Sequence, residues 1–475
     1  MTSSINGKTV TYEYYPSGLV SKSIPQNGKP IITKYNKQGK QIWIEDPNSG
    51  VIRSEYNGFG ELTLNIQRIH TTGDSIRTIY TYTADGRLES RNRNGEITAY
   101  TYNASPNYQN RLNTVELRNK NGQTINRQTF IYDPISFTDR IIQQKEEIID
   151  NNGNLKQFIK RTEYDTFGRV VKETLPSGYF IQNKYDRYSN LTTRRDGTGR
   201  LIWKVIDENA KGQLLHVSKG LKTTSYQYYA NGQTKEIKAD NVMDMCYVYE
   251  SKTHNLHSRE DKLSSQLEFF VYDGLNRLKD WTITCNGANT THSIVYDNIY
   301  GTINSKSDLG SFTLKYGGEK EDKNKKGGSG ALPAPYALTS IVPNQGSTGF
   351  PNNFPNSDLN VTYTDFKKIS TLSETSKFYR ITYGSDDERV KSEYYNNGQS
   401  QGRPDITRYY MGNYEEEVNV NGNIKKIHYL GGAIYIESTL PSGETNGVLY
   451  YVYTDYQGNL IALVNESLRD RKSVV

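Results

Sequence analysis

A short motif recurs along this chain from Tyr14 to Tyr296 and restricts the folds open to it. Each copy has a tyrosine, often followed by Asp or Asn, then a glycine or another turn former, and then an aliphatic residue. The clearest copies read YNGFGEL, YTADGRL, YDTFGRV and YDGLNRL, and they begin at Tyr56, Tyr82, Tyr164 and Tyr272. Copies recur roughly every 21 residues, a period typical of repeat proteins. The chain is therefore predicted to be an array of one small unit.

Each unit has the sequence signals of a β-hairpin. Residues before the tyrosine are strand formers, as in Phe269–Tyr272. The Asp or Asn and the glycine that follow adopt positive φ at low cost, so they close a tight turn. A second strand then begins at an aliphatic residue such as Val170, and pairs such as Asn94-Gly95 reverse the chain again. Helical periodicity is weak throughout, so the predicted fold class is all-β and antiparallel.

A lone hairpin is marginally stable in water, so successive hairpins are expected to pair edge to edge. We predict tandem hairpins that form a continuous curved sheet, a spiral shell or cocoon, with tyrosine rings stacked on one face. Hydrophobic residues make up only 34% of the chain, which disfavours a thick filled core. Aromatic residues reach 12%, with 39 tyrosines, which disfavours disorder.

Certain residues of these copies are predicted to hold the repeat together. The repeated aspartates occupy one structural position, which favours side-chain to backbone bonds in the turn over catalysis. The predicted structural residues are Tyr56, Gly60, Tyr82, Gly86, Tyr164, Asp165, Gly168, Tyr185, Asp186, Tyr272, Asp273, Tyr296 and Asp297.

The units at Tyr164 to Val170 and Tyr272 to Leu278 resemble the YD or RHS repeats of bacterial polymorphic toxins, insect-toxin complex components and teneurin shells. The segment YTDYQGNLIALV, which begins at Tyr453, resembles the signature of the RHS repeat-associated core. The signature positions in this chain are Tyr453, Asp455, Gly458, Ala462 and Leu463.

This resemblance implies a hollow β-shell that holds a C-terminal cargo, often a toxic domain, in a secreted or cell-surface protein. It also implies that the chain is a fragment, because neither the family's cleavage aspartates nor a cargo is recognised after Val464. The predicted organisation is a repeat array over 1–316, a flexible insertion with a short core strand over 317–356, the start of the RHS core over 357–466 and an atypical tail over 467–475.

Several functional classes are disfavoured by the sequence. The net charge is +6 without a cluster of Lys and Arg, so no nucleic-acid partner is expected. No apolar run approaches the roughly 20 residues of a membrane-spanning helix. Cys246 and Cys285 match no zinc spacing and are expected to be buried free thiols. No catalytic residue, metal ligand or cofactor site is predicted, because the motifs for nucleotide, hydrolase and metalloenzyme chemistry are missing.

Two functions from different classes remain open. The first is a non-enzymatic shell segment that encapsulates or presents a cargo polypeptide. The alternative is a carbohydrate-binding or adhesive surface protein, since rows of tyrosine with Asn and Asp could bind surface glycans. Tyrosine rings packed within the structure favour the shell, whereas exposed rows favour adhesion.

Overall fold

The computed structural model describes residues 2–5, 8–26, 30–46, 50–68, 75–103, 110–134, 139–149, 153–297, 301–310, 312–316, 338–344, 359–396, 402–465 and 472–473. Nearly all of these residues lie in short antiparallel strands or in the turns between them. The one helical segment among them is a single 3₁₀ turn, Ser307–Leu309. No helix in this part of the chain has the length and apolar character needed to cross a membrane.

The described strands belong to two long sheets. The strands of the first sheet are β1 (Thr2–Ile5), β2 (Lys8–Tyr14), β3 (Val20–Pro25), β4 (Ile31–Tyr35), β5 (Gln41–Asp46), β6 (Gly50–Tyr56), β7 (Leu62–Arg68), β8 (Ser75–Tyr82), β9 (Leu88–Arg93), β10 (Glu96–Tyr102), β11 (Leu112–Arg118), β12 (Thr124–Tyr132), β13 (Ile141–Ile149), β14 (Leu155–Tyr164), β15 (Val170–Thr174), β16 (Phe180–Tyr185), β17 (Leu191–Asp196), β18 (Leu201–Glu208), β19 (Leu214–Lys219), β20 (Lys222–Tyr228), β21 (Thr234–Ala239), β22 (Met243–Tyr249), β23 (Leu256–Asp261), β24 (Gln266–Tyr272), β25 (Leu278–Cys285), β26 (Ala288–Tyr296) and β27 (Ile303–Lys306).

The second sheet begins shortly after Lys306. Its strands are β28 (Phe312–Tyr316), β29 (Leu338–Pro343), β30 (Leu359–Tyr363), β31 (Ile369–Ser373), β32 (Phe378–Tyr383), β33 (Arg389–Tyr395), β34 (Ile406–Met411), β35 (Tyr414–Asn419), β36 (Ile424–Tyr429), β37 (Ala433–Thr439), β38 (Thr445–Thr454), β39 (Leu460–Asn465) and β40 (Lys472–Ser473).

The repeat hairpin closes with a four-residue turn and a β-bulge. In β14 and β15, Thr162 is opposite Glu173, and the register then shifts so that Tyr164 is opposite Val170. The fourth turn residue, Gly168, has a φ of +85°. Glycine is suited to this position because a β-carbon there would strain the backbone. The bulge ends one strand at the tyrosine and starts the next at the aliphatic residue, as the motif predicts.

The described chain forms two compact units, and each has its own buried residues. The first unit comprises Met1–Thr129, Glu147–Lys156 and Ile294–Arg403, and Val115, Leu117 and Val390 are buried in it. The second comprises Phe130–Glu146, Gln157–Ser293 and Pro404–Val475. Its buried residues include Ile202, Val217, Tyr247, Leu430 and Tyr453.

The predicted all-β fold of tandem antiparallel hairpins is confirmed. The predicted domain boundaries at 316, 356 and 466 stay predictions. Most of the insertion over 317–356 and most of the tail over 467–475 lie outside the described residues. Strand β29 lies at Leu338–Pro343, where a short core strand is predicted, and pairs with β28 and β30.

Candidate functional site

The recurring site of this protein is the turn that follows each repeat tyrosine. In the copy at Tyr164, one carboxylate oxygen of Asp165 accepts hydrogen bonds from the amides of Phe167 and Arg169, both at 2.9 Å. The other oxygen accepts one from Nε of Arg169 at 2.7 Å. The Asp165 carboxylate therefore accepts the hydrogen bonds of the turn amides, as is typical of Asx turns. The Arg169 side chain donates a further hydrogen bond to the same carboxylate.

The repeat tyrosine joins its hairpin to the preceding one. The hydroxyl of Tyr185 donates a 2.8 Å hydrogen bond to the carbonyl of Val170, which is the first residue of β15. The same relation recurs in both sheets: the tyrosine ends its strand, and the acceptor begins an earlier one. The other pairs are Tyr56 to Gln41, Tyr82 to Leu62, Tyr102 to Leu88, Tyr164 to Ile141, Tyr228 to Leu214, Tyr272 to Leu256, Tyr316 to Ile303, Tyr363 to Leu338 and Tyr383 to Ile369.

In several copies a basic side chain also contacts the ring of the repeat tyrosine. The guanidinium of Arg169, which caps Asp165, also lies 4.8 Å from the ring centroid of Tyr185, the next repeat tyrosine. Cation–π contacts of this kind contribute about 0.5–1 kcal/mol at exposed sites. In each case the cation directly precedes the carbonyl acceptor. The other contacts pair Lys40 with Tyr56, Arg87 with Tyr102, Arg140 with Tyr164 and Lys368 with Tyr383.

The other predicted turn residues occupy equivalent positions with some variation. Asp273 accepts from the amides of Leu275 and Arg277, as Asp165 does in its turn. In the turn at Asp186, the second carboxylate oxygen instead accepts a hydrogen bond from the side-chain amide of Asn190. Gly60 and Gly86 have positive φ. Tyr296 is opposite Ile303 at a bulge, and the amide of Asp297 donates to the carbonyl of Thr302.

The acid–base properties of these turns follow from their contacts. Burial raises the pKa of Asp165, but the backbone and side-chain hydrogen bonds from Arg169 outweigh it and hold that pKa below its usual range. Arg277 lowers the pKa of Asp273 against burial in the same way. Burial raises the pKa of Tyr164 and Tyr272. The aspartates are therefore anions and the tyrosines neutral hydroxyl donors at neutral pH.

The residues of the core signature form the hairpin β38–β39. Tyr453 is opposite Ala462, and both are fully buried, whereas Leu463 is half-buried. Asp455 accepts from the amides of Gln457 and Asn459, and Gly458 has a φ of +88°. This signature turn therefore has the same design as the repeat turns.

Within the second unit, this hairpin packs on strands of the repeat array. Nζ of Lys219 donates a 2.8 Å hydrogen bond to the carbonyl of Val452 and lies 5.0 Å from the ring centroid of Tyr453. Burial lowers the pKa of Lys219 to about 8. The ring of Tyr456 lies edge-on to Tyr247, with centroids 4.8 Å apart.

A serine and a histidine 251 residues apart also meet in this unit. Oγ of Ser177 and Nε2 of His428 are 2.7 Å apart, and Nδ1 of His428 lies 3.0 Å from the carbonyl of Tyr435. A carbonyl only accepts, so Nδ1 carries the proton and Nε2 accepts from the serine hydroxyl. Burial lowers the pKa of His428, which keeps the ring neutral.

A neutral imidazole next to a serine hydroxyl is an arrangement of base and nucleophile. In this protein the imidazole of His428 is fully enclosed and packs against the rings of Tyr179, Tyr414 and Tyr435. The hydrogen bond between Ser177 and His428 therefore connects the turn at Ser177 to strand β36 in the interior of the unit. The sequence analysis missed it, because no local pattern links positions so far apart.

Ligands typical of metal sites also come together, although no metal is predicted. Donor atoms of Glu236, Asp244 and Cys246 lie within 4.8 Å of one another. The ammonium of Lys262 is 3.2 Å from Glu236 and 3.8 Å from Asp244, and Lys238 is 3.2 Å from Asp244. Two ammonium groups therefore balance the two carboxylates.

Both cysteines are free thiols. They are less buried than the sequence analysis expects: Cys246 is half-buried and Cys285 is exposed. Cys285 is the last residue of β25, beside the Asn286-Gly287 turn, so its side chain reaches solvent.

The strands, bulges and tyrosine turns define an all-β protein of tandem antiparallel hairpins, and this fold is similar to that of solved chains from TccC3-containing complexes. The crystal structure of TcdB2-TccC3-Cdc42 is similar over 96% of this chain, with a TM-score of 0.68 at 13% sequence identity. The Photorhabdus luminescens Tc holotoxin pore with a mutant TccC3 is similar over 96%, with a TM-score of 0.63 at 14% identity. TcdB2-TccC3 without its hypervariable C-terminal region gives a TM-score of 0.52 at 13% identity.

These similarities establish the fold. The chain spans 26%, 25% and 30% of the lengths of those three solved chains. No family model matches the sequence, and a search of curated proteins found no significant match.

Proposed function

We propose that this chain is a wall segment of a β-shell that encloses or presents a C-terminal cargo polypeptide in a secreted or surface bacterial protein of toxin type. The single observation that carries the proposal is the tyrosine link between hairpins, on a fold shared with chains of TccC3-containing toxin complexes. The wall itself has a mechanical role and performs no reaction.

The physical basis is that this wall is held together along its length. Repeat tyrosines in both sheets bind a neighbouring carbonyl through the hydroxyl, and five of those described also place the ring against a neighbouring cation, as Tyr185 does with Val170 and Arg169. Stability then depends mainly on contacts between neighbouring units, as in other repeat proteins. Such a wall needs no thick apolar interior, which accords with the low hydrophobic content of 34%.

The contacts of the repeat tyrosines favour the shell over a row of exposed glycan-binding rings. The rings of Tyr164, Tyr185 and Tyr272 are half-buried, and their hydroxyls bind the backbone. The repeat aspartates are likewise occupied by turn amides. The hydroxyls of these tyrosines and the carboxylates of these aspartates are therefore occupied within the wall.

Limited proteolysis of the full-length gene product tests enclosure. We expect segments that follow Asn465 to be cleaved slowly in the intact protein and quickly when expressed alone. The double variant Tyr164→Ala/Tyr185→Ala removes two links and should expose those segments to trypsin. Tyr188→Ala is the matched control, since this tyrosine is 69% exposed and lies at a turn tip. Equal cleavage of the intact protein and the isolated segment would refute enclosure.

A further inference from the structure

A pocket of about 620 Å³ lies where the core signature turn meets the turn ends of three repeat hairpins in the second unit. We define this core-turn groove by six of its lining residues: Tyr249, Phe270, Tyr272, Tyr456, Asn255 and Gln457. Its volume falls in the range of about 300–1,000 Å³ that is usual for small-ligand sites. The proposed enclosure of a cargo does not use it.

The aromatic walls of the groove are held in place by contacts with each other and with neighbouring residues. The ring of Tyr456 packs edge-on against Tyr249, with centroids 6.0 Å apart, and also against Tyr247. The hydroxyl of Tyr272 is fixed by its 2.9 Å hydrogen bond to the carbonyl of Leu256. Rings fixed in this way are preorganised, so a ligand that stacks on them does not have to order them.

The groove offers no net charge to a ligand. Among the described residues that line it, Arg259 is the only Lys, Arg, Asp or Glu. Its guanidinium is bound by Glu268 and lies 3.7 Å from the Asp455 carboxylate. Its charge is therefore balanced by these two carboxylates, and a neutral ligand fits the groove better than an ionic one.

Two amide side chains at the rim retain hydrogen-bonding capacity. Asn255 donates through Nδ2 to Asn276 at 3.3 Å, which leaves its carbonyl oxygen available. Gln457 is exposed and accepts through Oε1 from Asn459 at 3.4 Å, which leaves its Nε2 hydrogens available. The rim therefore presents both an acceptor and a donor next to the aromatic walls.

A second pocket of about 410 Å³ adjoins the groove and shares Gln233, Tyr249 and His254 with it. Tyr229 lines this extension, and its ring lies edge-on to Tyr249 at 6.2 Å. The groove and this extension are together lined by the turn ends of successive hairpins, so a ligand with more than one unit can contact both.

From this geometry we infer that the core-turn groove binds a neutral oligosaccharide. A pyranose ring has an apolar face of C–H groups, which stacks on aromatic rings, and a rim of hydroxyls, which both donate and accept. Fixed aromatic walls, free amides and a balanced charge in the groove match that chemistry, and the Glu250 carboxylate in the extension is an acceptor for sugar hydroxyls. A hydrocarbon ligand would use the rings but not the amides, and an acidic glycan would need an unbalanced cation. This inference is independent of cargo enclosure.

Glycan-array screening followed by calorimetry tests the site, with maltotriose, triacetylchitotriose and lacto-N-tetraose as the neutral probes. We expect at least one neutral oligosaccharide to bind. Gln457→Ala should weaken that binding about tenfold by removing an amide contact. Tyr456→Leu should abolish it, whereas Tyr456→Phe, which keeps the ring, should not.

Controls separate binding from folding. Asn121→Ala removes an amide from the same position of another turn and should leave the affinity unchanged. Melting curves should show that Gln457→Ala is folded, because only its backbone amide bonds to Asp455. Binding of acidic glycans alone, binding of proline-rich peptides in place of sugars, no binding on the array, or an affinity unchanged in Gln457→Ala and Tyr456→Leu would each overturn the inference.

Discussion

The hydroxyl of Tyr185 donates to the carbonyl of Val170, so the last residue of one strand is fixed to the first residue of the preceding one. Because the same relation recurs along both sheets, its contribution to stability is multiplied by the number of repeats. The first prediction concerns this bond.

Tyr185→Phe keeps the ring over Arg169 and removes only the hydroxyl. We expect the free energy of unfolding to fall by about 1 kcal/mol, the usual net value of one hydrogen bond. Urea denaturation followed by circular dichroism measures the change. Tyr188→Phe is the control, since this ring is 69% exposed, and it should change stability by less than about 0.5 kcal/mol. Equal effects of the two variants would contradict the proposed role of the hydroxyl.

Gly458→Ala tests the backbone of the core signature turn. Gly458 has a φ of +88°, and an added β-carbon would meet nothing within 4 Å, so the cost is conformational strain alone. We expect a loss of about 1 kcal/mol in thermal or urea unfolding. Gly458→Asn should cost less, because Asn tolerates this region, as Asn276 does at a φ of +60° in another turn. A cost for Asn as large as that for Ala would exclude this explanation.

Lys219→Met should stabilise the protein at pH 7. Burial lowers the pKa of Lys219 to about 8, so the folded state bears a desolvation cost for the charged form. We expect a gain of about 1–2 kcal/mol, reduced by the lost hydrogen bond to Val452. The folded pKa lies below the unfolded value, so the cost is greatest below about pH 8 and disappears above about pH 10.4. Urea denaturation of both proteins at pH 7 and pH 10.5 measures the gain in unfolding free energy. A gain that did not shrink at the higher pH would contradict a desolvation cost at Lys219.

His428 predicts a loss of stability in mild acid. Burial lowers its pKa, so the folded state favours the neutral ring more than the unfolded state does. The stabilisation is present above the unfolded pKa of about 6.5 and is lost as the pH falls through the folded value. The melting temperature should therefore drop between pH 7.5 and pH 5, and His428→Gln should flatten that dependence. Ser177→Ala, which leaves the ring in place, should retain it.

Local features were predictable from the sequence. Tyr164, Asp165 and Gly168 lie close together in the motif, and their chemistry specifies a strand end and a turn without reference to distant residues. The distant contacts were not predictable. Ser177 and His428, or Lys219 and Val452, meet only because the second sheet packs on the first within one unit. Stacking between tyrosine rings was expected, but the recurring contacts run from hydroxyl to carbonyl and from ring to cation.

The choice of a main-chain acceptor has a further consequence. All residue types carry the same backbone carbonyl and differ only in their side chains. The acceptor for the Tyr185 hydroxyl would therefore remain if Val170 were replaced by many other residues. Successive hairpins can then diverge at the acceptor position while remaining interchangeable as building blocks. A gene for such a protein can gain or lose whole units by duplication or deletion, and the length of its product can change without a redesign of the joints.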